Sequence, residues 1–121
     1  MPRNFKKLEG LANKLGYKVR LNRVNQCSVH DKLIKIDSRQ RSDRRVFALA
    51  HELGHAKTLL TCKRKLGCLT SRGNDNTWST LEAEFVAWEY ADKEVKLLGL
   101  YGRDYLKFKH REFGAYYRYK D

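Results

Sequence analysis

The stretch "RRVFALAHELGHAKTLL" covers residues 44–60 and places two histidines four positions apart, with a glutamate directly after the first. Positions i and i+4 lie on one face of an α-helix, so His51 and His55 can direct imidazole nitrogens at a single metal ion. Glu52 is rotated by about 100° from His51 and is suited to act as a general base towards water at the metal. This division of roles is the physical content of the H-E-x-x-H pattern.

The rest of this stretch is apolar on two opposite sides of the expected helix, which predicts a helix buried between two layers. One side carries Val46, Leu49, Leu53 and Leu60, and the other carries Phe47, Ala48, His51, His55 and Thr58. Buried histidines need partners. A metal ion accounts for both histidines and the glutamate together, whereas the competing interpretation is two core histidines that bond backbone carbonyls.

A third ligand is expected from the downstream segment "STLEAEFVAWEYADKEVKLL", residues 79–98, which offers Glu82, Glu84 and Glu89. At about 100° per residue, Glu84 falls on an apolar stripe and Glu82 falls on a charged side with Glu89. The stripe consists of Leu81, Glu84, Trp88, Ala91, Val95 and Leu98. A carboxylate inside an apolar stripe is unusual, and metal ligation explains it.

Glu82 has a different predicted task. "STLE" at residues 79–82 matches a capping box, in which the Ser79 hydroxyl accepts from the Glu82 amide and the Glu82 side chain returns to the Ser79 amide. The pattern therefore predicts that Glu82 caps the helix while Glu84 binds the metal.

"RRVFALAHELGHAKTLL" followed by "LEAEFVAWEYA" resembles the ImmA/IrrE type of zinc metallopeptidase, in which an H-E-L-G-H helix precedes a helix of the form E-x-E-A-x-x-F-A. The resemblance spans roughly residues 30–95. It implies a gluzincin-like zinc site with His51, His55 and Glu84 as ligands and Glu52 as the base. It also implies cleavage of a regulatory protein, such as a phage-type or stress-response repressor, and the chain's size suits a phage or mobile-element protein.

Three positions depart from that family pattern. Phe85 and Glu89 stand where the family usually has alanine, and Trp88 stands where it usually has phenylalanine. These differences alter packing and leave the implied ligand set intact.

The first part of the chain predicts a helix and two strands. Apolar residues spaced by threes and fours predict a helix over residues 4–15 that Gly16 closes. "YKVRLNRV" (17–24) and "DKLIKID" (31–37) alternate in the manner of strands. "NQCS" (25–28) offers turn chemistry between them, which favours a hairpin or small sheet edge.

The second part predicts helices only. One begins at about Ser38 or Ser42 and ends at Leu60, and another runs from about Thr80 to Leu98. A glycine-containing loop separates them. The order predicts an α+β fold in which a small sheet or hairpin and a central HExxH helix pack against further helices, as a minimal zincin-like domain over residues 1–121.

Composition supports one domain without a membrane segment. The chain has 121 residues, 41% of them apolar, enough for a single core. No run of 18 apolar residues occurs, and the amino-terminal stretch is charged and has no signal-peptide h-region, so a cytoplasmic protein is expected. The odd cysteine set of Cys27, Cys62 and Cys68 fits free thiols, and Cys62 and Cys68 lack the second pair that a structural zinc would need.

The net charge of +12 is concentrated in residues 1–45, which hold 13 Lys and Arg against 4 acids. This asymmetry is typical of a surface for nucleic acid or an acidic partner, but also of a solvated basic face. The tail "YGRDYLKFKHREFGAYYRYK" (101–120) leaves a similar choice: its aromatic residues can stack on bases or dock on the core. The docking interpretation uses Tyr105, Phe108, Phe113 and Tyr116. His30 and His110 are isolated and are expected to be surface or capped histidines, and the alternative is a hydrogen bond to an oxyanion in the cleft.

The sequence therefore predicts a zinc-dependent endopeptidase that cuts a specific regulatory protein. Two alternatives remain: a basic nucleic-acid-binding module with a structural zinc, and a catalytically silent interaction domain. An open fourth coordination position would favour the enzyme, whereas a fourth protein ligand would favour a structural role.

Overall fold

The structure is a computed structural model that describes residues 2–65 and 77–120, with side chains described for residues 3–57 and 84–113. The described residues form four α-helices and three short β-strands. In chain order these are α1 (Pro2–Lys14), β1 (Lys18–Asn22), β2 (Gln26–Ser28), β3 (Leu33–Asp37), α2 (Ser42–Lys65), α3 (Thr77–Leu97) and α4 (Arg103–Lys120). The predicted mixture of helices with a small sheet is confirmed.

The three strands form one sheet in the order β1-β3-β2, so β1 and β2 are its two edges. β1 runs parallel to β3, with Val19 opposite Ile34. β2 runs antiparallel to β3, with Cys27 also opposite Ile34. The predicted turn at residues 25–28 is wrong, as is a hairpin between the two longer strands, whereas the alternative prediction of a small sheet edge is confirmed. Three of the four residues expected to turn form β2 instead, because Cys27 pairs with β3 and its side chain is partly buried against the core.

Helix α2 lies at the centre of the molecule, where it contacts α1, the sheet, α3 and α4. Its residues 46–50 are all buried, and Leu53 and Ala56 continue the burial one and two turns later. A helix apolar on both sides packs between two layers, as the sequence predicted. The core cluster consists of Leu8, Ala12, Tyr17, Ile34, Ile36, Val46, Phe47, Ala48, Leu49, Ala50, Leu53, Ala56, Trp88, Ala91, Val95, Tyr105 and Phe108.

Two helices end at glycines with positive φ. Gly16 (φ 89°) follows α1, and the Tyr17 amide then donates to the Ala12 carbonyl at 2.9 Å. Gly99 (φ 75°) follows α3, and the Leu100 amide donates to the Val95 carbonyl at 3.0 Å. Such bonds satisfy carbonyls at a helix end and need a residue that tolerates a left-handed conformation. The predicted end of the first helix at Gly16 is confirmed.

Two other helix ends differ from the prediction. Helix α2 continues past Leu60 to Lys65, because residues 61–65 contain no helix breaker and three of them are cations, which are favourable near a helix C-terminus. Helix α3 begins at Thr77, so Ser79 lies inside the helix and not at its N-cap. The predicted capping box is therefore misplaced. The side chains of Ser79 and Glu82, and those of Cys62, Cys68 and Tyr116, lie outside the described part of the chain.

Helix α4 docks on the core through its aromatic residues. Tyr105 and Phe108 are buried and contact Phe47, with ring centroids 5.3 and 5.8 Å away. The Tyr105 hydroxyl donates to Asp92 of α3 at 2.6 Å, and the Lys109 ammonium contacts the same carboxylate at 2.9 Å. For these two aromatic residues the docking interpretation is confirmed. Within the described ranges, no helix combines the length and apolar character that a membrane crossing requires.

Candidate metal centre

The two histidines of α2 lie side by side on the face that meets α3. Their rings are 4.6 Å apart, as the spacing of four residues predicts. Both side chains are largely buried, with 13% and 16% of their surfaces exposed. Their nitrogens therefore meet partners inside the protein and not bulk water.

The partner of both histidines is Glu84, from the first half of α3. One carboxylate oxygen, Oε1, lies 3.1 Å from His51 Nε2, and Oε2 lies 2.8 Å from His55 Nε2. Trp88, Ala91 and Val95 on the same stripe are buried, whereas Glu89 and Lys93 on the opposite side are exposed. The predicted rotation of α3 is confirmed for these residues, and it brings Glu84 to the histidines.

This group can hold a metal ion. One ligand atom from each of His51, His55 and Glu84 can be chosen so that all lie within 4.8 Å of one another. Ligands about 2.0–2.1 Å from a tetrahedral zinc stand roughly 3.4 Å apart. The nitrogen–oxygen distances of 3.1 and 2.8 Å are slightly shorter, so a small outward movement of the side chains would admit an ion. Two imidazoles and one carboxylate are donors that suit zinc and leave a fourth position for another ligand.

Glu52 lies beside this group without joining it. Its Oε2 is 3.6 Å from His51 Nδ1, the nitrogen that faces away from Glu84. Only 6% of Glu52 is exposed, and this burial raises the pKa of its carboxyl group above the usual value, although the neighbouring histidines oppose the shift. A buried carboxylate with a raised pKa inside a cleft is the kind of group that can act as a general base.

The electrostatics of Glu84 and His55 are coupled. Burial by itself would raise the pKa of Glu84, but the hydrogen bonds from His51 and His55 outweigh it and hold that pKa well below its usual range. Burial would likewise lower the pKa of His55, but its hydrogen bond to Glu84 outweighs desolvation and raises it. Without a metal ion, the carboxylate thus provides the charge that keeps the two imidazoles in place.

Two further contacts hold the helices in the geometry that the site requires. The Trp88 indole stacks on the His51 imidazole, with ring centroids 4.0 Å apart and planes 13° from parallel. Gly54, directly before His55 in α2, meets the backbone of α3: a methyl group at position 54 would lie 2.9 Å from the carbonyl carbon and Cα of Ala87, and closer still to the carbonyl oxygen. Only glycine allows α2 and α3 to approach this closely.

The three ligand candidates and Glu52 line a cleft of about 360 Å³. One wall comes from the segment around β2, and another from α4. The other lining residues are Asn25, Gln26, Cys27, Ala48, Phe108 and Glu112. The Asn25 amide is held by Gln40, and its Oδ1 accepts from the Asp37 amide at 2.8 Å, which fixes the start of the β2 wall.

Sequence reasoning missed most of these walls. The composition of residues 25–28 predicts a turn and not a wall of a cleft. Glu112 belongs to α4, and no local sequence pattern predicts the position of α4 relative to α2. The glycine within H-E-x-G-H was the available signal for a close helix contact, since an interior glycine weakens a helix unless packing requires it. His30 and His110 are exposed, as expected, and neither lines the cleft.

Comparisons with profiles of protein families, with curated proteins and with solved structures found no match to this chain.

Proposed function

We propose that the protein is a zinc-dependent endopeptidase of the ImmA/IrrE type, with a zincin-like fold. His51, His55 and Glu84 would hold the zinc, and Glu52 would be the general base. The observation that carries this proposal is the meeting of the HExxH histidines with a glutamate from a second helix, in a cleft that also holds the buried Glu52. If the two histidines were only a structural pair in the core, or part of a surface ion pair, nothing would require both histidines and both glutamates to line the same cleft.

The division of work within the cleft follows from the chemistry of each group. When bound, zinc supplies Lewis acidity that lowers the pKa of a coordinated water to about 7 and polarises a carbonyl oxygen. Glu52 then accepts the proton of the attacking water and delivers it to the nitrogen of the departing amine. Its raised pKa favours the first transfer, because a raised pKa makes the carboxylate a stronger acceptor for the proton of water.

The shape of the cleft favours an extended peptide as the substrate. β2 is an edge strand, and Gln26 and Cys27 line the cleft beside the metal ligands. An extended chain can add to such an edge through backbone hydrogen bonds, which places its peptide groups near the ligands. The choice of a repressor-like regulatory protein rests on the family resemblance alone.

The number of donors weighs against a purely structural zinc. Structural sites usually have four protein ligands, whereas the cluster found among the described residues contains three. A nucleic-acid-binding module with a closed zinc site is therefore the weaker alternative. A silent interaction domain would keep the metal and lack cleavage, so only an activity measurement separates it from the enzyme.

The decisive variant is Glu52→Gln, which keeps the shape of the side chain and removes the base. The zinc-loaded protein and this variant are incubated with a proteome-derived peptide library, and new termini are identified by mass spectrometry. We expect a reproducible set of cleavage sites with the unaltered protein and none with Glu52→Gln, while both bind about one zinc per chain by elemental analysis.

The matched control is Glu89→Gln, which changes an exposed glutamate of α3 and should leave both cleavage and zinc content unchanged. Cleavage by Glu52→Gln at the original rate would show that another group is the base. A zinc-loaded protein that cuts neither the library nor intact candidate repressors would support the silent domain. The absence of zinc uptake would contradict the metal site itself.

A further inference from the structure

The sheet has a second edge, on β1, that takes no part in the cleft. Four of the five residues of β1 are exposed, and Val19 is partly exposed. The Lys18 amide donates to the Lys32 carbonyl, and the Asn22 carbonyl accepts from the Ser38 amide, so both residues bond towards β3. Since alternate residues of a strand direct their backbone groups to opposite sides, Val19 and Leu21 present their amides and carbonyls to the open edge.

This open edge ends at a defined point. The Arg23 amide donates to the Asn22 side chain at 2.7 Å, and the Arg23 carbonyl accepts from Arg39 at 3.0 Å. Among the described residues, none forms a hydrogen bond with the outward backbone groups of Val19 and Leu21. Two residues therefore offer a short, unpaired ladder that a further strand can extend.

The two faces beside this edge differ in chemistry. Leu21 is 53% exposed and follows Val19 on the face that also carries the buried Tyr17. Lys18 and Arg20 lie on the other face, where Arg20 stands directly opposite Lys35 of β3. Like charges directly opposite each other destabilise a sheet. An anionic side chain on a neighbouring strand would relieve this repulsion.

No acidic residue of the same segment supplies that charge. Residues 10–30 contain no Asp or Glu but do contain Lys14, Lys18, Arg20 and Arg23. The ion pairs recorded for the described residues leave Lys18, Arg20 and Lys35 without a carboxylate partner. Asp37, the acid of β3, is already bound by Arg39.

We propose that the open edge of β1 binds an extended acidic segment of a partner protein as a fourth strand, with acidic side chains beside Lys18 and Arg20 and apolar side chains beside Leu21. The outward amides and carbonyls match a polypeptide, because only a polypeptide has repeating backbone donors and acceptors. A nucleic acid fits less well, since the strands "KVRLN", "QCS" and "LIKID" contain no aromatic residue on which bases stack. This inference does not depend on the proposed peptidase activity.

A basic edge also prevents pairing between copies of the same chain, because two such edges repel. That protective role and the proposed binding role make different predictions. If the basic edge only prevents self-association, it need not bind any strand. If it is a binding site, it should bind a strand that is acidic and in which charged and apolar residues alternate.

The test uses a short fluorescein-labelled peptide in which glutamate and valine alternate, with binding to the full chain followed by fluorescence anisotropy. The comparison peptides alternate lysine with valine, or carry the same glutamates and valines in two separate blocks. We expect binding of the alternating acidic peptide only, and weakening by salt because its charged contacts are exposed. Amide hydrogen exchange gives a direct readout: the Leu21 amide should become protected when the peptide binds.

Two matched pairs of variants locate the contact. Leu21→Pro removes the outward amide, which an edge strand tolerates, and should lower the affinity by about tenfold, whereas Leu21→Ala keeps the amide and most of the affinity. The pair Lys18→Glu and Arg20→Glu should lower the affinity by on the order of tenfold or more. Lys93→Glu with Lys107→Glu changes the net charge equally on exposed positions of α3 and α4, and should have little effect.

Several outcomes would overturn the inference. The first is that the acidic peptide does not bind. The second is that both pairs of charge-reversed variants lose the same affinity. The third is that duplex DNA binds more tightly at this edge and displaces the peptide. If Leu21→Pro does not fold, protection of the Leu21 amide in the unaltered protein still decides the question, and its absence on peptide binding would contradict strand addition.

Discussion

Two clusters of partly buried polar side chains join the helices of this protein, and they differ in whether they could hold a further ligand. In the first, Glu84 contacts both His51 and His55, and all three line a cleft. In the second, Asp92 of α3 accepts from Tyr105 and Lys109 of α4. Both pair one carboxylate of α3 with two partners from another helix.

The second cluster is complete without a further ligand. Its carboxylate is neutralised by an ammonium group, and Tyr105 packs its ring in the core. Burial, together with the bond to Asp92, raises the pKa of the Tyr105 hydroxyl far above the usual value, so that hydroxyl stays a donor at any ordinary pH. The first cluster instead combines groups that all gain from a shared cation, and a second carboxylate, Glu52, lies beside it. The cluster that can still bind a ligand is the one to test for function.

The largest expected effect comes from exchanging the two carboxylates for alanine. Glu84→Ala should weaken zinc binding by more than the roughly 100-fold that loss of an outer-shell partner costs, because it removes a ligand. Asp92→Ala should leave zinc affinity nearly unchanged and destabilise the fold by about 1–3 kcal/mol, since Tyr105 and Lys109 lose their acceptor. Zinc titrations and chemical denaturation measure the two effects. If Asp92→Ala weakens zinc binding as much as Glu84→Ala does, the clusters are not separate.

A smaller effect is expected from the glycine that sets the distance between α2 and α3. Gly54→Ala places a methyl group against the Ala87 backbone, so the helices must separate, at a cost of about 1–3 kcal/mol. The same movement draws Glu84 away from the histidines and should weaken zinc binding. The matched control is Gly10→Ala in α1, where no heavy atom lies within 4 Å and the change should stabilise the helix by about 0.5–1 kcal/mol. Equal stability of the two variants would contradict the close approach.

The smallest expected effect is a pH dependence of opposite sign with and without zinc. Desolvation opposes the protonation of His55, but Glu84 outweighs it and raises the pKa above the ordinary value of 6.5. In the metal-free protein this contribution is fully present below pH 6.5 and is lost as the pH rises through the folded-state pKa. The raised pKa of Glu52 acts in the same direction. Zinc requires neutral imidazoles, so its stabilisation grows as the pH rises.

Thermal unfolding in the presence of a chelator and of excess zinc, between about pH 6 and 8, measures both slopes. We expect the metal-free protein to become less stable as the pH rises, while the increase in Tm that zinc produces becomes larger. Slopes of the same sign and size in both conditions would indicate that zinc is not held by His55.

The sequence predicted those parts of the fold that depend on local periodicity. The i, i+4 spacing placed His51 and His55 on one face, and the apolar stripe around Trp88 gave the correct rotation of α3 and therefore the position of Glu84. Gly16 marked the end of α1 because a helix often ends at a residue with positive φ, and glycine is the residue most often found there. Each of these features is decided within a few turns of one helix.

The parts that the sequence did not predict depend on contacts between distant segments. In the sheet, β3 lies between β1, which is parallel to it, and β2, which is antiparallel to it. This arrangement depends on the contacts of Ile34 and Cys27 with other parts of the chain. The turn-like composition of residues 25–28 does not predict it. The position of Glu112 in the cleft depends on how α4 crosses the molecule, which Asp92 and the aromatic core fix together. Local patterns carry no information on either arrangement.

The contact at Gly54 also limits which other sequences can share this site. The atoms that a larger residue would meet are the carbonyl and Cα of residue 87, which every amino acid possesses, so no substitution at position 87 can make room. A sequence with a side chain at position 54 must hold its two helices farther apart, and a glutamate at position 84 would then reach the histidine pair less well. In a search for relatives of this protein, glycine at position 54 is therefore as informative a criterion as the two histidines.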